Sequence, residues 1–403
     1  MNIKKIHLRN IGPFKETTLE FPTLSIGKDG EQPVTIITGV NGAGKSILID
    51  AIRAVFCGGE VLERDIVANG DDFIIEMDLE DGDGIKTLRT STKKDGHIAA
   101  AVDFASIRKP LLYGYSSSDS INDWVIDYWS SQIATDSFHI KGLTNIKHED
   151  ALKNVMRGRK SHVDLVNFIC QMDYLRSSEM FAEKELGEYL YEKLKEMVGS
   201  CLENGMFKFV RRTDLMPIVE QNGIELSLDK LSSGNLFLLE HLLMLMCKMY
   251  SVGVLNHRKP DAILNIPGVL LIDEVETHLH PRWQKKIVGI IRRYFPNMQI
   301  ILTTHSPFVV ASMDGARIYT CVPGTGYSEV KDETEKYGHM PVDEVLMSDV
   351  FAVHPFNEQI TKLLRERKCL IEKGDTAGAE KLAEKLYEIN PEYFSYLNVK
   401  GGF

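Results

Sequence analysis

The spacing of apolar and polar positions changes several times along the chain, and each change predicts an element. Val34–Thr38 is an apolar run that stops at the Gly-rich GVNGAGKS, and ILIDAIRAVF after it places its apolar residues at helical spacing. Residues 1–56 therefore read as strands that lead into a loop and a helix. From Asp72 to about Phe104, FIIEMDLE and IKTLRTST alternate around a DGDG turn, which predicts an antiparallel β subdomain. Residues 120–205 carry longer helical patterns, HVDLVNFICQM and KELGEYLYEKLKEMVGSCL among them. No heptad register is sustained over several repeats, so a helical lobe without a coiled-coil arm is expected.

Lys208–Leu228 returns to strand character, after which LSSGNLFLLEHLLMLMCKMY opens on small residues and becomes a strongly apolar helix that should be buried. GVLLIDE and QIILTTHS are short apolar runs ending in polar residues, separated by the helical WQKKIVGIIRRYF. This is the pattern of buried parallel strands joined by a crossover, and it gathers polar groups at the strand C-termini. From about Val342 the chain is helical and charged, with Gly374 at the break of a predicted helical hairpin. Without internal repeats or a long linker, one compact body with lobes is expected.

Gly39–Ser46 fits G-x-x-x-x-G-K-[ST] in full, after a strand and at the start of a helix. The loop from Asn41 through Gly42, Ala43 and Gly44 can turn its amides inward around phosphates, and the helix N-terminus adds favourable dipole charge. Lys45 is placed to neutralise the β and γ oxygens of ATP, and the Ser46 hydroxyl to ligate Mg²⁺. The run Leu270–Glu274 delivers Asp273 and Glu274 to a strand end. Asp273 is expected to hold Mg²⁺ through water, and Glu274 to orient and deprotonate the attacking water. His305 follows the next strand, where open α/β sheets bind ligands, and is expected to contact the γ-phosphate. His278 and His280, in ETHLHP, lack a third ligand and read as loop residues rather than a metal site.

Composition narrows the setting. Hydrophobic residues make up 43% and charged residues 26% of the 403 positions, as in globular domains. No uninterrupted apolar run approaches the roughly 20 residues of a membrane span, so no membrane partner is expected. The N-terminus lacks a secretory pattern, and six cysteines are scattered without a C-x-x-C pair. A reducing, cytoplasmic location is the expectation. The net charge of -10 disfavours general attraction to nucleic acid but leaves room for local basic groups. Candidates are Arg157, Arg159 and Lys160, then Lys208, Arg211 and Arg212, and Arg365, Arg367 and Lys368, although for each a solvated helix or strand face is the preferred reading.

LSSGN, Leu231–Asn235, is by itself a helix N-terminus with capping residues. The order of motifs, from phosphate loop to LSSGN, D-E strand and histidine strand, resembles the ABC ATPases, in which LSGGQ-type residues close over a partner's nucleotide. The likeness narrows to the SMC-like branch through LRNIGPF, DEVETHLHP and TTHSPF. This branch includes the overcoming-lysogenization-defect ATPases and ATPase subunits of anti-phage systems such as Septu PtuA.

The resemblance implies an α/β P-loop NTPase with an ABC-type head, a mixed sheet with helices, an antiparallel β subdomain, a helical lobe and a C-terminal helical hairpin. The head would span residues 1–119 and 206–335, the lobe 120–205 and the helical tail 336–403. It further implies that Ser232, Ser233 and Gly234 contact ATP held by a second copy, so that the chain forms a homodimer or higher oligomer. It suggests control of a separately encoded effector, a nuclease or toxin, in anti-phage defence. A non-hydrolysing ATP-bound scaffold and a DNA-repair ATPase are the alternatives. Three departures stand out: Asn235 occupies the place of the usual Gln or Glu, only Gln132 suggests itself as a glutamine loop, and no arm-like coiled coil interrupts the head.

Overall fold

The computed structural model describes residues 1–24, 32–68, 72–82, 84–101, 110–113, 121–131, 140–158, 163–351 and 356–397. In chain order the strands of the first part are β1 (Asn2–Ile11), β2 (Phe14–Glu20), β3 (Val34–Gly39), β4 (Ile74–Asp81), β5 (Gly84–Thr90), β6 (Lys93–Lys94), β7 (His97–Ile98) and β8 (Val125–Trp129). Those of the second part are β9 (Gly205–Arg211), β10 (Met216–Gln221), β11 (Ile224–Ser227), β12 (Gly268–Ile272), β13 (Met298–Thr303), β14 (Arg317–Pro323) and β15 (Ser328–Asp332). The main helices are α1 (Lys45–Cys57), α2 (Leu165–Leu175), α3 (Phe181–Cys201), α4 (Ser233–Leu255), α5 (Ile287–Tyr294), α6 (Glu358–Glu372) and α7 (Thr376–Ile389).

A six-stranded mixed sheet in the order β15-β14-β3-β13-β12-β8 is the frame of the site. Its strands from β14 to β8 run parallel, and β15 pairs antiparallel on the edge. The side chains of β3, β12 and β13 are buried along their whole length, which explains their continuous apolar runs. Since β13 lies between β3 and β12, three loops meet at one end of the sheet: the Gly-rich loop after β3, the TTH segment at the end of β13 and the D-E turn after β12.

A second, antiparallel sheet in the order β2-β1-β4-β5 covers α1. Ile75, Met77 and Leu79 point inward to join Leu48, Ile49, Ile52 and Phe56 of α1 in one core. Their alternate neighbours face outward, where Glu76 pairs with Arg89 and Glu80 with Lys4.

The helices α2 and α3 pack together into the lobe. A Cβ on Gly187 would lie 2.3 Å from the Arg176 amide, so glycine lets α3 cross the end of α2 closely. The antiparallel strands β9 to β11 lead to α4. That helix is long and apolar enough, by length and composition, to cross a membrane, a property the sequence reading did not assign to any segment. In this fold 72% of its most apolar window is buried inside the protein. A helix apolar all round suits such a position.

The sequence pattern did not reveal β8. It lies within the stretch read as helical, and it forms the edge of the main sheet beside β12. The described chain also divides into two units, Met1–Val345 and Leu346–Phe403, rather than one body. The second holds the hairpin of α6 and α7, which turns at Gly374 with φ +80° and has its own small core of Leu363, Leu386 and Phe394.

Candidate nucleotide-binding site

The Gly-rich loop is shaped by close approaches as much as by glycine freedom. Gly44 has φ +100°, and a Cβ there would lie 2.6 Å from Pro13 and 2.7 Å from Phe14, so the first β-hairpin presses directly on the loop. Val40, Asn41 and Gly42 are exposed, whereas Ala43 is buried. Gly44 serves as the N-cap of α1 without a side-chain cap, and the first turn carries no acidic residue. The amides and dipole of that end are thus presented to an anion.

Lys45 lies in this cradle with its Nζ donating to the carbonyls of Gly39 and Val40, each at 3.0 Å. Burial lowers its pKa, while Glu276, Glu274 and Asp273 act in the opposite direction. A phosphate brought against this buried ammonium would favour its charged form. Next to it, Ser46 Oγ donates to Asp273 Oδ1 at 2.9 Å, so the two side chains expected to serve Mg²⁺ are in contact across 227 residues of sequence. A hydroxyl and a carboxylate at the rim of a phosphate cradle are the hard oxygen donors that Mg²⁺ takes, and the residues present fit that ion.

The turn after β12 is fixed amide by amide. Asp273 N donates to the Trp129 carbonyl on β8 at 2.9 Å, Glu274 N to Thr303 Oγ1 at 2.8 Å, and Val275 N to the Thr303 carbonyl at 3.1 Å. Thr303 Oγ1 in turn donates to Asp273 Oδ1 at 2.6 Å. Held this way, Glu274 has φ +52°, a left-handed conformation that a residue with a Cβ rarely adopts. Glu276 reaches the neighbouring turn, where one carboxylate oxygen accepts from the His305 amide and the other from Thr304 Oγ1 at 2.7 Å. Burial raises the pKa of Glu276, and these hydrogen bonds oppose that effect. Burial and the Lys45 charge both lower the pKa of His305, while a hydrogen bond with the Gly39 backbone and the Asp273 carboxylate act against them.

The LSSGN segment forms the N-terminus of α4. Ser232 is the N-cap and accepts from the Asn235 amide at 3.3 Å, and both Ser232 and Ser233 are exposed. A Cβ on Gly234 would meet the His278 carbonyl at 2.6 Å, so α4 begins directly against the loop that follows the D-E pair. His278 there has φ +63°, while His280 caps the short helix Pro281–Gln284 by accepting from Arg282 N. A stack of rings continues inward, with Phe237 against His278 and His241, and His241 against Trp129.

Residues 41–46 and Asp273, Glu274 and His305 therefore gather at one end of the sheet, while Ser232, Ser233 and Gly234 lie with His278 at the start of α4. Gln132, Arg159 and Lys160 fall outside the described residues. Of the basic groups, Lys208 pairs with Glu220 and Arg211 with Asp214, while the exposed Arg212 reaches the buried Asp173. Thr303, Glu276 and the Trp129–His241 contact were not singled out from sequence, although Thr303 and Glu276 lie within motifs that were.

Two protein-family descriptions match the chain: "AAA domain" over residues 5–198, and "AAA domain, putative AbiEii toxin, Type IV TA system" over residues 157–311. Among curated proteins, the "Retron Vc95 probable ATPase" of Vibrio cholerae serotype O1 biovar El Tor is 25% identical over 399 residues, covering 79% of this chain and 74% of that protein. The "Septu protein PtuA" of Bacillus thuringiensis is 24% identical over 328 residues, covering 76% and 72%. Among solved structures, an SMC head bound to the C-terminal winged-helix domain of ScpA superposes with a TM-score of 0.50 at 15% identity, over 82% of this chain and 98% of that one. This last likeness concerns the fold alone.

Proposed function

We propose, for a chain that is an AAA-type P-loop ATPase related in fold to SMC heads and in sequence to retron and Septu ATPases, that two copies meet head to tail and complete each other's ATP site. The exposed N-terminus of α4 carries this reading. Ser232 and Ser233 face solvent at the positive end of a 23-residue helix, on the surface that also presents His278. Such an end binds phosphate oxygens well, and the exposed Val40–Gly42 segment leaves the cradle open to a partner.

Within one copy, Lys45 leaves the carbonyls of Gly39 and Val40 to bind the β- and γ-phosphate oxygens of ATP. Ser46 and Asp273 would hold Mg²⁺, which would supply neutralisation of the phosphate charge. Glu274 orients the attacking water and takes its proton. His305, hydrogen-bonded to the Gly39 backbone beside the cradle, offers a hydrogen bond to the γ-phosphate. In the partner, Ser232, Ser233 and Gly234 close over the same phosphate.

ATP then favours the closed pair by its differential affinity for closed over open, which is what a nucleotide switch needs. We assign the output of that switch to a separately encoded effector, a nuclease or toxin acting in anti-phage defence. The retron and Septu relatives support this assignment.

Glu274→Gln tests the chemistry. It should keep ATP affinity, lower turnover at least ~100-fold and trap an ATP-dependent dimer on size-exclusion chromatography with light scattering. Turnover equal to the native protein would remove Glu274 as the base. Asn235 favours a second reading, a non-hydrolysing ATP scaffold, because this residue at the Gln/Glu position is only 7% exposed and its side chain is largely withdrawn from the surface that would meet a partner. Phosphate release at background level from the native protein, with ATP and Mg²⁺ present, would select that scaffold. Co-purification of the neighbouring gene's product tests the effector.

A further inference from the structure

Three acidic side chains leave the β12 end within four residues, and all three are tied to the end of β13. Asp273 accepts from Thr303, Glu276 accepts from Thr304 and the His305 amide, and Glu274 is held through its own amide by Thr303. The contact of Thr303 is the most informative of these, because one hydroxyl does two things. It accepts from Glu274 N at 2.8 Å while donating to Asp273 Oδ1 at 2.6 Å, and the side chain is fully buried. Its direction is therefore set, with its proton on the Asp273 side and a lone pair on the Glu274 side.

Glu274 meanwhile has φ +52°. A β-carbon in that region is unfavourable, and such backbone persists where surrounding contacts hold it. The amides on either side have backbone acceptors, on Trp129 and on Thr303 itself. The central amide, that of Glu274, has a side-chain acceptor, so the conformation of this one residue depends on a hydroxyl.

We infer that Thr303 is a positioning residue for hydrolysis: its hydroxyl holds Glu274 in the left-handed conformation and fixes the Asp273 carboxylate against Ser46. The inference rests on the reading of Glu274 as the base and Asp273 as a metal-side ligand. It extends that reading to a residue that need touch neither nucleotide nor water. Valine at 303 keeps the shape and the β-branch but removes both hydrogen bonds, leaving the Glu274 amide unpaired. Serine restores the hydroxyl. Misplacing a reacting group by about an ångström costs on the order of 100-fold in rate without a matching loss of binding.

The test compares Thr303→Val and Thr303→Ser with the native chain by steady-state ATP hydrolysis and by crystal structures without nucleotide. Thr303→Val should lower kcat about 10- to 100-fold while KM changes less than about 3-fold, and Thr303→Ser should return kcat to within about 3-fold of native. The Val crystal should show Glu274 relaxed to negative φ, with the Ser crystal retaining positive φ. A Val protein with native kcat, or a Val crystal with Glu274 φ unchanged, would overturn the inference. Glu274→Gln assayed beside them separates the two ideas: native turnover there ends the assignment of the base, while the two crystals still decide what Thr303 holds.

Discussion

Replacing Lys45 by alanine removes a cation that the loop's own carbonyls keep in place between Gly39 and Val40. Losing one partner of a desolvated, charge-assisted contact costs about 2–5 kcal/mol, so ATP affinity should fall roughly 30- to 5000-fold by calorimetry. A second residue-scale expectation concerns acid. Burial between Trp129 and Phe237 lowers the pKa of His241 to about 4, with Asp127 and Lys248 acting in opposite directions. Because the folded pKa lies below the unfolded one, the native state binds fewer protons. The stability contribution is therefore complete above roughly pH 6.5 and is lost as pH falls toward about 4. His241→Phe should flatten the decline of Tm between pH 7 and pH 4.5, and an unchanged decline would remove His241 as its source. The cradle was legible in the sequence because its chemistry is local, eight residues that make one loop. The left-handed Glu274 was not, since the hydroxyl that holds it lies 29 positions away.

At the scale of elements, the N-terminus of α4 serves both the fold and the proposed contact in trans. Ser232→Ala removes the cap and should cost about 1 kcal/mol of stability. Ser233→Arg, at an exposed position, should leave the ATP affinity of the single copy unchanged while abolishing the ATP-dependent dimer in sedimentation velocity. If the dimer persists, this helix end is not at the interface. The strands of the main sheet could be recognised where their runs are wholly apolar, as in β12 and β13. The pattern of β8 is broken by Asp127, a charge that belongs to a surface by composition. In the fold it is buried, with Lys248 donating to it at 2.5 Å and Trp129 Nε1 at 3.1 Å. Since Lys248 comes from α4, the partner that makes a buried strand tolerable here is 121 residues away and invisible to any local window.

At the scale of the whole molecule, the tail could be recognised as a helical hairpin from its charge pattern and Gly374. Its status as a separate unit depends on Phe394 and the two leucines closing a core of their own, which no periodicity announces. The central claim concerns the pairing of copies, and mixing two disabled chains tests it most directly. Lys45→Ala chains keep an intact α4 terminus, and Ser233→Arg chains keep an intact cradle. Neither forms a working site with itself. Only a pair containing both chains has a whole site, one of its two, so the mixture should recover turnover well above either variant alone, up to about half of native. Turnover that stays at the background of the separate variants, at concentrations where the native chain dimerises, would contradict a site completed in trans.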